Sequence, residues 1–574
     1  MTTEIVPQIQ NRSSGAAWAF VLLVLPMPLC LLIYHFVLWA MEQSAIISLS
    51  VKNLAWSGLA GLALQAALMS AFTGALWRFT KDERFKSIYE RLFIASLMAF
   101  PALPLRLLGP NNDQLGSILQ FVLALTAALL IIRLRKDELV WDAKSLPFGF
   151  IVAGVGCIPF ALYGSFGSAG DAALSLLASL AFGLLAAVLM KDAAENRFFD
   201  GVGIGAVLAL LGSAFGYDGG QLVLLAILPP FAFAVSALMP SRAAVWAAAS
   251  PLTFAALAAF DPTEFAFVLG DIGLIALETC ALAVGVGFGV SLLAWILRVV
   301  NASHALEKLK AAGWAAAVAV WVSAVVVFFA FGSPGDYGDR LFIVMKDQLD
   351  ISDLAKVKDR NKRLTAAYQR LTAHADATQA DLRNFFDKAG VEYTPYYLEN
   401  AMEARGGTLL RLYLLTRPEV ERVLPSPRLR AAPEDFPVPG YLPDVEGGVQ
   451  WNISMIGADR VWEEFGVRGE GIVIGQSDSG VDGNHPALAM QYRGYASGGD
   501  YNWFDPWDGT TSPNDEGGHG THTAGIILGA NGIGVAPEAQ WIGCVNLDRN
   551  LGNPALYLDC MQFMFAPFPQ GGDP

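Results

Sequence analysis

The sequence predicts a multidomain protein: an all-α polytopic membrane domain, a small ferredoxin-like α+β unit, and then an α/β doubly wound parallel sheet. Three observations carry this. The 574 residues are 54% hydrophobic and only 16% charged, and the mean hydropathy is +0.44, far from the soluble average. That excess sits in residues 15–332, where apolar segments are separated by short polar loops, whereas 333–574 has an ordinary charge density. Within the polar half, 340–428 reads in β-α-β-β-α-β order, and the residues from 451 onward alternate strand with helix. A chain of this length implies several domains. The net charge of −14 gives no support to nucleic acid as a partner.

The first domain is assigned to residues 1–332. Stretches of about 17–25 apolar residues span a bilayer. Eleven segments qualify, near 15–40, 53–77, 92–108, 114–132, 147–165, 172–190, 199–215, 220–239, 243–260, 265–297 and 312–332. The third is the weakest, with Pro101, Pro104 and Arg106, and the tenth is long enough to hide a re-entrant piece. The opening segment is no cleavable signal, because its apolar run is too long and no A-x-A site follows. Loops alternate between basic and bare. Arg78, Lys81, Arg84, Lys86, Arg91, Arg133, Arg135, Lys136, Lys144, Lys191, Arg197, Arg242, Arg298, Lys308 and Lys310 share one side with Arg12, and the other side carries Lys52. By the positive-inside rule the N-terminus is cytoplasmic, and eleven spans place everything after 332 outside. His35, Asp271 and Glu278 lie within spans, where ionisable groups are costly. Snorkelling or a helix–helix contact accounts for them, and no motif gives this half a chemistry of its own.

In 340–428, "RLFIVMKDQ" reads as a strand and "LTAAYQRLTAHADATQADLRNFFDKAG" as an amphipathic helix. "VEYTPYYLENAMEARG" and "LLRLYLLT" follow, then a short helix at "RPEVERVL" closed by "PSPRL". Residues 429–450 contain four prolines and little periodicity, as expected of an exposed linker.

The final domain, 451–574, carries the chemistry. "GIVIGQ" (471–476) is a short strand that ends at "SDSGVDGNHPAL", so Asp478 falls at a strand's carboxyl end, where open α/β sheets place functional groups. "HGTHTAGIILGA" opens a helix with His519 in its first turn, "AQWIGCVNLD" (539–548) is a second strand, and "PALYLDCMQFMF" a second helix. A neutral imidazole can take a proton from a nucleophile and return it to a leaving group. A carboxylate on its other nitrogen fixes tautomer and orientation. Asp478 and His519 suit those roles, and Gly518 and Gly520 would let a substrate backbone approach the ring. A structural histidine and a plain D-S-G turn are the bland alternatives when each is taken alone. A metal reading of His519 with His522 lacks the glutamate of H-E-x-x-H and a third ligand, so His522 is expected to pack or hydrogen-bond inside the helix.

"IGQSDSGVDGNHPAL" and "GHGTHTAGIILG" together resemble the aspartate and histidine motifs of the subtilases, the subtilisin-like serine peptidases (peptidase family S8). "WNISMIGADRVW" is similar to the usual entry into their catalytic domain. "YNWFDPWDGTTSPNDEGGHGTH" and the segment from "GVAPEAQWIGCVNLD" to "MFAPFP" resemble the bacillopeptidase F-like branch. Residues 340–428, ending "RPEVERVLPSP", are similar to the inhibitor I9-type propeptide. The resemblance covers about 340–574 and implies Asp478 as the orienting carboxylate and His519 as the general base. The family's nucleophile lies in a later G-T-S-M-A-x-P motif, absent here, as are the oxyanion asparagine and the strand lining the specificity pocket. "GTTSP" (509–513) is a decoy: it precedes the histidine and lacks the continuation, so Ser512 is not the nucleophile. The sequence stops at "PQGGDP", where the next strand is expected. It therefore reads as C-terminally truncated, with an incomplete subtilisin-like sheet and no activity of its own.

The resemblance further implies a membrane-anchored, exocytoplasmic serine endopeptidase made as a zymogen, acting on protein or peptide substrates. Residues 340–428 would be chaperone and intramolecular inhibitor, with the processing site in 429–450. Catalysis would need no cofactor. Structural calcium is possible, with Asp500, Asp505, Asp508 and Asp515 as oxygen donors, although plain loop acids are the simpler reading. The alternatives are a membrane transporter or sensor carrying a non-catalytic subtilase-like binding module, and 340–428 as a stand-alone interaction domain. Cys30, Cys157 and Cys280 lie in spans as packing residues. Cys544 and Cys560 either pair or stay as buried thiols.

Overall fold

A computed structural model describes residues 13–47, 54–108, 113–135, 141–163, 169–190, 197–216, 219–239, 241–258, 271–300, 312–331, 340–426, 448–548 and 551–572. The chain divides into two units, Met1–Asp336 and Tyr337–Pro574.

The first unit is helical. Among the described residues ten helices are long and apolar enough to cross a membrane. They correspond to ten of the eleven expected segments, and the remaining one, Arg242–Ala258, is a shorter apolar helix. Two of these helices are interrupted near prolines, where a missing N–H and a ring clash weaken the ladder, whereas Pro159, Pro229, Pro230 and Pro251 lie inside continuous helices. Helices Ser13–Val24 and Met27–Ile47 meet around Pro26. In the third span, helix Glu83–Leu97 gives way to Ala99–Ala102 and the 3₁₀ turn Leu103–Leu107, at Pro101 and Pro104. Large apolar side chains such as Leu29, Leu68, Phe288 and Phe329 face outward, which is compatible with membrane insertion. His35 is buried, its Nε2 against Gln65 Oε1, and Gln65 Nε2 donates to Ser213 Oγ at 2.6 Å. His35 thus serves a helix–helix contact, whereas Glu278 is exposed on its helix. The Asp271 side chain and any re-entrant piece before it lie outside the described residues.

In the second unit β1 (Arg340–Met345) leads to α1 (Arg360–Ala389), then β2 (Tyr393–Tyr396), β3 (Ala401–Arg405), α2 (Thr408–Leu414) and β4 (Val420–Pro425). Asp359 caps α1 by accepting from Lys362 N, and Gly390, in the left-handed region at φ +66°, ends it. The four strands form one sheet in the order β2-β3-β1-β4, every neighbour antiparallel. Leu382, Phe386, Ile343, Met402, Leu414 and Val423 make its core on the helical face.

Two elements differ from the sequence expectation. "LLRLYLLT" is helix α2, because Leu410, Tyr413 and Leu414, spaced as one helical stripe, pack on that core. "RPEVERVL" is not a helix: it contains strand β4. Its Val420 and Val423 look helical at a spacing of three. A register shift between Val344 and Met345 sets Val420 against Met345 and Arg422 against Val344, so both valines reach the same core.

After the linker, α3 (Trp451–Met455) and α4 (Ala458–Phe465) precede the parallel sheet. The linker itself lies outside the described residues up to 447. The strands are β5 (Val473–Asp478), β6 (Trp503–Phe504) and β7 (Gln540–Val545), in the order β5-β7-β6 and all parallel. Between β6 and β7 runs α5 (His519–Leu528). A two-residue ribbon, β8 (Leu547–Asp548) with β9 (Leu551–Gly552), leads into α6 (Pro554–Phe565). Along β7 successive side chains serve opposite faces. Trp541 and Val545 pack with Ala524 and Leu528 of α5, and Ile542 and Cys544 with Cys560 and Phe563 of α6. A disulfide joins Cys544 to Cys560, fixing β7 to α6.

α6 has a second neighbour. Ala555 and Leu558 pack against Phe342, Val344 and Tyr396 on the outer face of the antiparallel sheet. Phe565 joins Leu371, Ala375 and Tyr397. Tyr397 N donates to Gln562 Oε1 at 2.7 Å, and Ser426 Oγ lies 3.0 Å from Asn553 Oδ1, the cap of α6. Behind this contact Glu403, 1% exposed, takes a 3.0 Å ion pair from Arg340.

Candidate active site

Asp478 ends β5, and β5 is the strand whose carboxyl end meets the first turn of α5. Asp478 and Val545 are paired across the parallel ladder, and Asn546 N donates to the Asp478 carbonyl at 2.8 Å. The backbone that holds the carboxylate is therefore fixed by the sheet. His519 is the first residue of α5, preceded by Gly518 at φ +70°, a conformation that glycine adopts without a Cβ clash.

The two side chains meet. Asp478 Oδ1 lies 2.6 Å from His519 Nδ1. The same oxygen accepts from Ser479 N at 2.7 Å, and Oδ2 accepts from Thr523 Oγ1 at 3.2 Å. The carboxylate side chain is 12% exposed and the imidazole 50%. A carboxylate on Nδ1 selects the tautomer with hydrogen there and leaves Nε2 as a proton acceptor. Among the described residues Nε2 has no hydrogen-bond partner, and the imidazole is half exposed.

Glycine has a different role here from the one the sequence suggests. A Cβ on Gly520 would sit 2.0 Å from Gly480 O and 3.0 Å from Asp478 Cβ. Gly520 therefore admits the Asp478 loop against α5, and no substrate backbone fills that space. His522 is also corrected. It is exposed, because the inward stripe of α5 is Gly520, Ala524 and Leu528, and residue 522 points to the opposite side. Ser512 is exposed in its turn, with no hydrogen bond to His519. Ser479, Thr523 and Asn546 were not singled out from the sequence. Only the D-S-G turn pointed to the neighbourhood of one of them, Ser479.

The four candidate calcium donors do not converge. Asp505 accepts from Trp507 N, Asp508 N and Thr510 N and Oγ1, which makes it the lock of its own turn. Asp515 accepts four hydrogen bonds of the same kind, and Asp500 accepts from Gln570 N. Oxygens turned toward N–H and O–H donors do not fit a cation. Among the described residues no group of three or more His, Cys, Asp or Glu side chains is placed to hold one.

Comparison with known proteins agrees with this geometry. The family model described as "Subtilase family" matches residues 469–571. Bacillopeptidase F of Bacillus subtilis is 30% identical over 241 residues, which are 38% of this chain and 17% of that protein. A thermostable alkaline protease of Halalkalibacterium halodurans is 30% identical over 140 residues, 24% of this chain and 34% of its own length. The minor extracellular protease Epr of B. subtilis is 39% identical over 106 residues, 18% and 14% respectively. The alignments thus span between 14% and 34% of these relatives. The Bacillopeptidase F alignment is more than twice as long as 469–571, so that likeness extends beyond the family match. Residues 469–571 are thus similar to the subtilase family, and these relatives are proteases.

Proposed function

We propose that the protein is a membrane-anchored serine endopeptidase of the subtilisin type, made as a zymogen. Asp478 orients the imidazole and His519 is the general base of an Asp-His-Ser triad. The observation that carries this is the 2.6 Å Asp478–His519 hydrogen bond at the carboxyl end of a parallel strand, with Nε2 open. In this reading His519 takes the proton of a serine hydroxyl as the oxygen attacks a peptide carbonyl. It then returns that proton to the leaving amine. The carboxylate stabilises the imidazolium in between without itself accepting the proton. The serine belongs to a G-T-S-M-A-x-P segment, which these 574 residues do not contain.

Residues 340–428 form the ferredoxin-like propeptide in the same reading. Their sheet rests on α6, and the Pro-rich stretch that follows, 429–450, carries the processing site. The membrane half anchors the assembly, with the N-terminus cytoplasmic and residues from 340 exocytoplasmic.

The 574 residues alone are expected to hydrolyse no peptide. Fused to a subtilase segment that carries G-T-S-M-A-x-P, they are expected to cut within 429–450, seen as release of the 340–428 propeptide on a gel. His519→Ala in that fusion should abolish the cut. Processing that persists without His519 means another protease acts, and the catalytic assignment falls.

A further inference from the structure

The first turn of α5 and the loop after β5 carry the two members of the proposed pair, and one side chain ties them together. Asp515 stands four residues before His519. Its Oδ1 accepts from Gly518 N at 2.9 Å, and its Oδ2 from Thr521 N at 2.7 Å and Thr521 Oγ1 at 2.6 Å. The free N–H groups of a helix's first turn need such acceptors, and a negative charge is favoured there. A cap would stop at that point. Asp515 continues across to the other loop: Ser479 Oγ donates to Oδ1 at 2.8 Å, and the same hydroxyl accepts from Gly520 N at 2.9 Å. Thr521 Oγ1 accepts from Asp482 N at 2.8 Å. A backbone bridge pairs Gly480 with Asp515. It needs glycine, because Gly480 has φ +114° and a Cβ there would lie 2.0 Å from Asn514 O.

The loop is therefore anchored at 479 and 482, and the helix turn at 518, 520 and 521. Asp478 and His519 sit one residue from those anchors. We propose that Asp515 is a positioning residue: its carboxylate latches the Asp478 loop to the first turn of α5 and so sets the Asp478–His519 hydrogen bond. It acts through backbone and through Ser479, with no contact to the imidazole. The inference rests on Asp478 and His519 forming the working pair.

The test reads the imidazole directly, in the full 574-residue chain in lipid nanodiscs with labelled histidine. The His519 Nδ1–H resonance, identified by its loss in His519→Gln, is protected from solvent exchange by its bond to Asp478. Asp478→Asn should remove that protection. Asp515→Asn and Ser479→Ala should each raise the exchange rate about tenfold, as expected for the loss of roughly one hydrogen bond. Amide exchange of β5 and β7 should stay unchanged. Ser479→Ala leaves the bonds of Asp515 to Gly518 and Thr521 in place, so it decides the matter even where Asp515→Asn loosens the fold. Unaltered exchange at His519 in both variants overturns the latch and leaves Asp515 as a cap. Unaltered exchange in Asp478→Asn overturns the pairing itself, whatever the Asp515 variants do.

Discussion

His519 and His522 stand three residues apart and have different surroundings, one bonded to the buried Asp478 and the other in solvent. That difference separates two substitutions. In the fusion that carries the serine motif, Asp478→Asn should lower the processing rate by about 10⁴-fold through the wrong imidazole tautomer. His522→Ala should leave both processing and melting temperature as they were, since exposed substitutions stay within about 0.5 kcal/mol. A melting temperature that drops with His522→Ala would mean the helix face has been assigned wrongly. The pair was legible in the sequence because a carboxylate after a strand and a histidine opening a helix are local patterns. The packing of Gly520 on Gly480 and the bridging by Ser479 were not. They depend on two segments about forty residues apart arriving at contact distance.

At the scale of elements, the sequence gives a secondary-structure type wherever one period dominates. α1, α5, α6, β5 and β7 follow their hydrophobic patterns and fall within a few residues of the expected bounds. β4 does not, because a bulge lets residues at a helical spacing share one face of a strand. The contact between α6 and the antiparallel sheet is a matter of elements too, and it responds to pH. Burial, and then the neighbouring Tyr368, push the Tyr397 phenol up to about 12. Its folded value is raised above the unfolded one, so the stabilisation is complete below about pH 10. It is lost as pH rises toward 12. Hydrogen exchange across 393–398 should accelerate over that window, and Tyr397→Phe should flatten the response while leaving other alkaline transitions in place. Gln562→Ala, which removes the acceptor for Tyr397 N, should loosen the same stretch at every pH. A Tyr397→Phe profile identical to wild type would assign the alkaline transition to another group.

At the scale of the whole molecule, hydropathy made the long apolar helices legible, and prolines stand at the two interrupted ones. Parity also depends on Arg242–Ala258, the apolar helix shorter than the other ten. Reporter fusions check it. Alkaline phosphatase joined after residue 340 should be active outside the cytoplasm, and a reporter at 301–310 should sit with the basic loops inside. Cytoplasmic signal from the fusion after 340 would remove one crossing and put the peptidase reading in the wrong compartment.

α6 divides its circumference between two owners. Ala555, Leu558, Asp559 and Gln562 form the stripe turned to the antiparallel sheet, while Cys560 and Phe563 belong to β7. The stripe belongs to the subtilase-like segment by chain position, yet residues 342–426 constrain what it can contain. Recombination that exchanged one segment for a relative's without the other would set mismatched side chains against each other at this helix. A new charge opposite Phe342 or a lost acceptor beneath Tyr397 N would be felt at once. The two segments should therefore be inherited together, with substitutions at 396–397 answered by changes at 559 and 562.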